Sequence, residues 1–243
     1  MLNTLPIWQK NHIEDCHARN MFLGKDVLEV GGETSPEIAE HLGAKSWTCV
    51  DPAFHKDEII SDRYKKIKQP IEDFCPNEKY DLIFSTNCFE HIQDLEKAFD
   101  NMYEILNDGG FLSALLGPIY SCYKGHHIYI YYAKDLVLDF NDSKLQDWGH
   151  LLYGPEKLIE ILSKFYNEQT LNTIKEQLTN WDYINKLFFD DYIEIINNSK
   201  FKVIELRDWH KSKYPSPEIQ KILEEKYNKK NFSTVSIKMI LQK

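Results

Sequence analysis

No stretch of the chain is apolar over the roughly 18–20 residues that a membrane-crossing helix needs. Met1 to Lys10 lacks the basic start and apolar run of a secretion signal. No C-x-x-C pair exists among Cys16, Cys49, Cys75, Cys88 and Cys122, and their number is odd. A disulfide framework or zinc knuckle is therefore not expected, and a reducing, cytoplasmic setting is. Positive charge is scarce too: 29 Lys and Arg stand against 38 Asp and Glu, a formal net charge of −9. Proteins that track a phosphate backbone usually carry the opposite balance. The expected partner is a small molecule, with no nucleic acid and no membrane, and the expected state is a monomer or homodimer. Internal repeats and low-complexity segments are also missing.

What is present is 243 residues, 42% of them hydrophobic, enough for a single α/β domain over 1–243 with a subdomain inserted in it. A helix is expected from Ile7 to Phe22. Asp26 to Val30 is an apolar run ending at Gly31-Gly32, as in a buried parallel strand. Ser35 can cap a helix over Pro36 to Leu42, with Pro at its first position. Strands are expected at Trp47 to Val50, more weakly at Lys65 to Ile71, and at Tyr80 to Ser85. Asp94 can cap a helix whose Leu95, Ala98, Met102 and Leu106 share one face. Asn107 to Gly110 should break it before a strand at Phe111 to Leu116. This alternation predicts a parallel sheet with right-handed crossovers.

Beyond Gly117-Pro118 the rhythm changes. Residues 119–182 are dense in Tyr, Trp and His and show no strong strand, with helices expected at Pro155 to Phe165 and Leu171 to Leu178. The alternation resumes over 183–243: a helix from Tyr183 to Asn197, strands at Phe201 to Leu206 and Thr234 to Leu241, and a helix from Pro217 to Tyr227. Open parallel sheets bind ligands beyond the carboxyl ends of their strands. The mainly helical insertion is thus expected to act as a substrate lid, and 20–118 as the cofactor-binding half.

Four features fall at carboxyl ends of the expected strands: Glu29-Val-Gly31-Gly32, Asp51-Pro52, the Ile71-Glu72-Asp73 turn, and Ser85-Thr-Asn87. Gly31 permits a sharp turn close to a ligand. Asp51 can accept both hydroxyls of a ribose, and Glu29 can orient a charged amino acid tail. Each also has an ordinary reading, as a strand-end charge, a turn or a cap. A dinucleotide fold would need G-x-G-x-x-G to seat a pyrophosphate. Gly31-Gly-Glu-Thr-Ser35 does not supply it, and Glu33 would repel one.

Val27-Leu-Glu-Val-Gly-Gly32, Asp51, Tyr80-Asp-Leu-Ile-Phe-Ser-Thr-Asn-Cys-Phe-Glu-His91 and Leu106-Asn-Asp-Gly-Gly-Phe111 together resemble class I S-adenosylmethionine-dependent methyltransferases, in their usual order, over roughly 20–118. The resemblance implies a Rossmann-like, seven-stranded, mostly parallel sheet with an antiparallel last strand, and S-adenosyl-L-methionine as cofactor. It places Glu29, Gly31 and Gly32 along the methionine part, Asp51 with Pro52 on the ribose, Ile71 and Glu72 by the adenine, and Asn87 and His91 on the methyl side. The family usually has glycines where this chain has Glu33 and Ser35, so a bulkier loop is expected to narrow the pocket.

For the acceptor, Gly117-Pro-Ile-Tyr-Ser-Cys-Tyr-Lys-Gly-His-His127 follows the fifth expected strand directly. A histidine titrating near neutrality suits removal of a hydroxyl proton. His126, His127 and His150 are the candidate catalytic residues, with Asp147 as a possible orienting group. Tyr120, Tyr123, Lys124 and Trp148 are the candidate substrate wall, joined by Tyr129. His126, His127, His150 and Asp147 also hold metal-ligating atoms. Adjacent histidines rarely point the same way, however, and no metal is expected. The lysines between Lys211 and Lys230 could meet a phosphate or form a solvated face. Gly117 to His127, Asp147-Trp-Gly-His-Leu151 and Ile184-Asn-Lys-Leu-Phe188 further resemble bacterial methyltransferases of surface polysaccharide genes, including the capsular O-methyl phosphoramidate pathway. That resemblance implies O-methylation of a small sugar, nucleotide-linked or phosphoryl precursor. The alternatives are a non-catalytic scaffold of the same fold, which the altered glycine loop favours, and N- or C-methylation of a small metabolite.

Overall fold

The computed structural model describes residues 2–132, 135–139, 142, 144–180, 184–210 and 212–243. In chain order the strands are β1 (Asp26–Val30), β2 (Ser46–Val50), β3 (Glu58–Ser61), β4 (Tyr64–Ile67), β5 (Tyr80–Thr86), β6 (Leu106–Leu116), β7 (Ile130–Tyr132), β8 (Asp135–Leu138), β9 (Lys202–Asp208) and β10 (Ile237–Gln242). The helices are α1 (Ile7–Ala18), α2 (Pro36–His41), α3 (Leu95–Ile105), α4 (Gly149–Leu152), α5 (Pro155–Leu162), α6 (Glu168–Thr179), α7 (Phe189–Asn198) and α8 (Pro217–Tyr227). Two compact units result. The first is Met1–Leu116 with Ile195–Arg207 and Ile237–Lys243; the second is Gly117–Glu194 with Asp208–Ser236. Among the described residues no helix is long and apolar enough to cross a membrane.

The first unit is built on one mixed sheet in the order β3-β4-β2-β1-β5-β6-β10-β9. β4, β2, β1, β5 and β6 run parallel, and β10 is antiparallel to β6. The chain moves outward from β1 through β2 to β4, then returns to β5 on its other side, so the order reverses between β1 and β5. Open α/β sheets bind ligands beyond the carboxyl ends of the strands at such a switch point. The sheet has eight strands rather than the expected seven. The additional β3 is an antiparallel edge strand on β4 with all four residues exposed, so it lacks the buried run or alternation by which strands are read.

Local chemistry accounts for the element ends. Ser35 caps α2 by accepting from the Ile38 N–H, with Pro36 in its first turn. Asp94 accepts from the Lys97 N–H at 3.0 Å and starts α3, which buries Leu95, Ala98, Phe99, Met102 and Ile105. The expected break at Asn107 to Gly110 lies inside β6, whose pairing with β5 shifts register there. α1 ends at Ala18, short of Phe22, and β4 ends at Ile67, after which Lys68 donates its N–H to Asp57. α1 carries polar groups into the core. His12 bridges Thr86 at 2.8 Å and Ser113 at 3.1 Å, and Asp15 meets the fully buried Lys238 of β10.

Where no strong strand was expected over 119–182, β7 and β8 form a short antiparallel hairpin. Strands of three and four residues are too short to leave a sequence pattern. One core packs Ile128, Ile130, Leu138 and Leu145 against Leu158, Leu162 and Ile174. A second joins Trp148, Leu151 and Phe188 to Leu223 and Phe232. α5 ends at Leu162, α6 begins at Glu168, and α8 has its expected limits. The helix expected from Tyr183 is observed as α7, from Phe189; Tyr183 itself lies outside the described residues.

Candidate functional site

The chain turns at the carboxyl end of β1 through Gly31, at φ +70°, a left-handed conformation that a Cβ disfavours. A Cβ there would also collide with the side chain of Cys88. One at Gly32 would collide with the carboxylate of Glu29. That carboxylate is 2% exposed and faces in register Cys49 of β2. It accepts from the Thr34 N–H at 2.9 Å, the Thr34 hydroxyl at 2.8 Å, the Trp47 indole at 2.9 Å and the Cys49 thiol at 3.3 Å. Burial pushes its carboxyl upward, opposed by those donors. Glu29 therefore ties the loop after β1 to Thr34 and to Trp47 and Cys49 of β2. The Tyr64 hydroxyl completes the brace by donating to the Thr34 carbonyl at 2.5 Å.

The expected crowding by Glu33 and Ser35 does not arise from their side chains. Glu33 is 59% exposed and pairs with Lys66 of β4, while Ser35 is occupied in capping α2. Asp51 follows β2 and accepts from the Ala53 N–H at 2.7 Å through one oxygen, with Pro52 exposed beside it. Ile71 is buried at the start of a 3-10 turn over Ile71–Asp73. Its carbonyl accepts from Asn101 at 2.6 Å, and Glu72 next to it is half-buried. Asn87 follows β5 in the left-handed region at φ +52°, its N–H donating to the Leu115 carbonyl at 2.7 Å. His91 is exposed and closes a second 3-10 turn, over Phe89–His91.

Cys88 joins these parts. Its thiol is pushed well up, first by burial and then by the negative charges of Glu90, Asp51 and Glu72. Three carboxylates at the carboxyl end of the sheet thus act on one thiol. Thr34, Trp47, Cys49, Cys88 and Glu90 escaped the sequence reading. The signal for Trp47 and Cys49 was their i, i+2 spacing on the face that Glu29 also occupies; Cys88 gave none. A broad hollow lined by Asp26, Lys45, Lys65, Glu78 and Tyr80 lies at the opposite, amino ends of the strands, away from these residues.

In the second unit, His126, His127 and His150 are 3%, 4% and 5% exposed. The His126 Nδ1 accepts from the Ile128 N–H at 3.0 Å. Burial holds its pKa well below the ordinary histidine value, helped by His150, Lys124 and His127 nearby. His127 is left-handed at φ +51°, with Nδ1 3.2 Å from the Gly125 carbonyl. The Nε2 of His150 lies 2.8 Å from the Tyr120 carbonyl. Gly125 is required because a Cβ there would meet the backbone of Ile119 and Tyr120.

Tyr120 is half-buried, its ring 5.1 Å from His150 and 5.7 Å from Phe188. Tyr123 is half-buried and packs on Trp148, and Tyr129 meets Tyr131 ring to ring at 5.2 Å. Trp148 is 2% exposed and donates its indole N–H to the Phe232 carbonyl at 2.9 Å. It is a core residue, not part of a substrate wall. Asp147 does not orient a histidine, because Lys124, at 3.6 Å, and Lys213 both pair with it. Lys124 also donates to the Leu145 carbonyl at 3.2 Å. Of the lysines expected to meet a phosphate, Lys211 lies outside the described residues. Lys229 pairs with Asp191, and Lys226 donates to the Leu151 carbonyl at 2.6 Å.

A parallel sheet with its functional loops gathered at one switch point is the architecture of a ligand-binding α/β enzyme. A family model described as a methyltransferase domain matches residues 11–183, and the chain belongs to that family. Solved structures agree on the fold. An S-adenosylmethionine-dependent methyltransferase of Mesorhizobium loti superposes with a TM-score of 0.54 at 10% identity, covering 96% of this chain and 98% of that one. A Listeria monocytogenes protein described in the same terms gives 0.51 at 13% identity, over 96% and 98%. A Bacillus halodurans C-125 protein described as a methyltransferase gives 0.50 at 11% identity, over 95% and 97%. No curated protein sequence matches the chain.

Proposed function

We propose that this protein transfers a methyl group from S-adenosylmethionine to an oxygen of a small polar acceptor. A sugar, nucleotide-linked or phosphoryl precursor of a surface polysaccharide is the acceptor class we favour. The observation that carries the cofactor assignment is the set of carboxylates at the carboxyl end of the sheet. Asp51, Glu72 and Glu90 all act on Cys88, which packs against the Gly31 turn. A cofactor with a sulfonium and an ammonium suits those carboxylates, and a pyrophosphate does not. Asp51 has one oxygen used by Ala53, leaving the other for ribose hydroxyls. The left-handed Gly31 and the adjacent Gly32 leave the backbone bare for the methionine portion, with Pro52 beside the ribose, Ile71 and Glu72 beside the adenine, and Asn87 and His91 on the methyl side.

S-adenosylmethionine, when bound, would supply an electrophilic methyl group on its sulfur, leaving S-adenosylhomocysteine once the methyl has passed to the acceptor oxygen. What the protein must add is alignment and a destination for the hydroxyl proton. The imidazoles of His126, His127 and His150 are the proposed destinations, with Tyr120, Tyr123 and Lys124 helping to hold the acceptor. Calorimetric titration with S-adenosylhomocysteine tests the reading. The native chain should bind, and Asp51→Ala should weaken binding about 10–100-fold, the value of one or two hydrogen bonds to a charged group. No binding by the folded native chain sinks the proposal.

A further inference from the structure

Trp148 is held at both ends of its side chain and backbone: its indole bonds to Phe232 and its N–H donates to the Tyr123 carbonyl at 3.1 Å. Two residues on, α4 carries His150 into the interior of the second unit. The Tyr227 hydroxyl donates to the Leu151 carbonyl at 2.8 Å and pins the same turn from α8. His150 is thus a rigidly placed imidazole. Its Nε2 faces the Tyr120 carbonyl at 2.8 Å, and a carbonyl can only accept, so Nε2 carries the hydrogen. The neutral ring then leaves Nδ1 as a bare lone pair. That atom is buried and has no hydrogen-bond partner among the described residues. An unpaired buried acceptor is costly and calls for a ligand or an ordered water.

We infer that the second unit binds a neutral hydroxyl compound through Nδ1 of His150. That this compound is the methyl acceptor rests on the function proposed above. The lone pair needs a donor, so carboxylate and phosphate oxygens are poor partners for it. An ammonium could donate, but the His150 pKa is set by burial and by the Tyr120 carbonyl, with no acid among its causes. His150 is itself only 5% exposed, so a cation placed on it would be buried without compensation. An uncharged O–H meets none of these costs, and the rings of Tyr120 and His126, set edge-on to His150, hold the imidazole in place. Burial lowers the His150 pKa to about 4, which keeps the lone pair available at neutral pH. It also makes the ring able to take a proton from a methylated oxonium but not from an alkylammonium.

The test uses the full chain labelled with 15N-histidine and two probes: methyl α-D-glucopyranoside and its fully O-methylated ether. The glucoside should shift the His150 Nδ1 resonance and the ether should not. His150→Phe should weaken glucoside binding about tenfold by calorimetry. Because that change also removes the bond to Tyr120, His150→Asn serves as second variant: its amide keeps a polar acceptor near Nδ1 and should still prefer glucoside over ether. Equal response to both probes, or none to either, overturns the inference, as does an Asn variant without preference. S-adenosylhomocysteine titrated in parallel separates the two claims. Cofactor binding without a glucoside response leaves the methyltransferase reading intact and removes this one; the reverse result removes the methyltransferase reading and keeps the hydroxyl site.

Discussion

Glu29 in the sheet unit and His150 in the second unit are both nearly inaccessible to water, yet they are partnered in opposite ways. Four donors converge on the Glu29 carboxylate. Among the described residues the His150 ring has a hydrogen-bond partner at Nε2 and none at Nδ1. A fully satisfied buried charge is a structural clamp, and removing one of its sides leaves the rest uncompensated. A half-satisfied buried group is instead costly until something fills it. The comparison therefore separates a residue that braces a loop from one that we propose binds a ligand.

The strongest way to break this contrast is to remove Glu29. Glu29→Ala leaves the Thr34 N–H and the Trp47 indole buried without acceptors and frees the loop that follows β1. The expected loss is about 3–5 kcal/mol of unfolding free energy, measured by urea denaturation. A loss under about 1 kcal/mol would mean the four bonds do not hold the loop.

Next in size is a pH effect that sharpens the histidine side. Burial lowers His150 from 6.5 to about 4, and lowers His12, with help from Lys238, from 6.5 to about 3. The unfolded chain takes up these protons near pH 6.5 and the folded chain refuses them. Stability should therefore be unaffected by these groups above pH 6.5, fall as pH drops below it, and level off for His150 near pH 4. The His150 share is about 3 kcal/mol across that window. Comparing His150→Phe with the native chain isolates it, and parallel stability curves between pH 7 and 4 would contradict the assignment.

Gly31 comes third. Gly31→Ala forces a left-handed residue to carry a Cβ and drives that Cβ into Cys88, costing about 2–3 kcal/mol together. Cys88→Gly should recover the collision part but not the conformational part. A double-mutant cycle with no coupling between 31 and 88 would disprove the contact.

How much of this was readable beforehand depended on whether each feature leaves a periodic or local trace. β1, β2, β5 and α8 are continuous apolar runs or capped amphipathic segments, so pattern alone located them. Asp51 and Gly31 were legible as strand-end residues because the run before each one stops there. β3 was not, because an exposed edge strand has no buried face to encode. The bracing role of Glu29 was not legible because its partners Thr34, Trp47 and Cys49 come from the loop and the neighbouring strand, and register between strands is not written in either one. Trp148 looked like a wall for substrate, since an aromatic beside glycine and histidine carries no mark of the Phe232 carbonyl 84 residues away. The state of His150 Nδ1 was equally invisible: a tautomer is fixed by its partner, and that partner is a backbone atom of Tyr120.

The smallest expected effect concerns Glu33, where the sequence predicted the greatest interference with the cofactor. Its carboxylate stands in solvent and pairs with Lys66, and exposed pairs of this kind contribute roughly 0–1 kcal/mol. Glu33→Ala should change stability by no more than about 0.5 kcal/mol and alter S-adenosylhomocysteine affinity less than about threefold. Raising salt should shrink even that difference, because the pair is screened. The same substitution also bears on the comparison between the two buried groups. The loop is shaped from inside by Glu29 and Thr34, so its outer side chain should be free to vary. A large gain in cofactor affinity on removing Glu33 would show that this side chain obstructs the loop and that the clamp at Glu29 is not what defines the site.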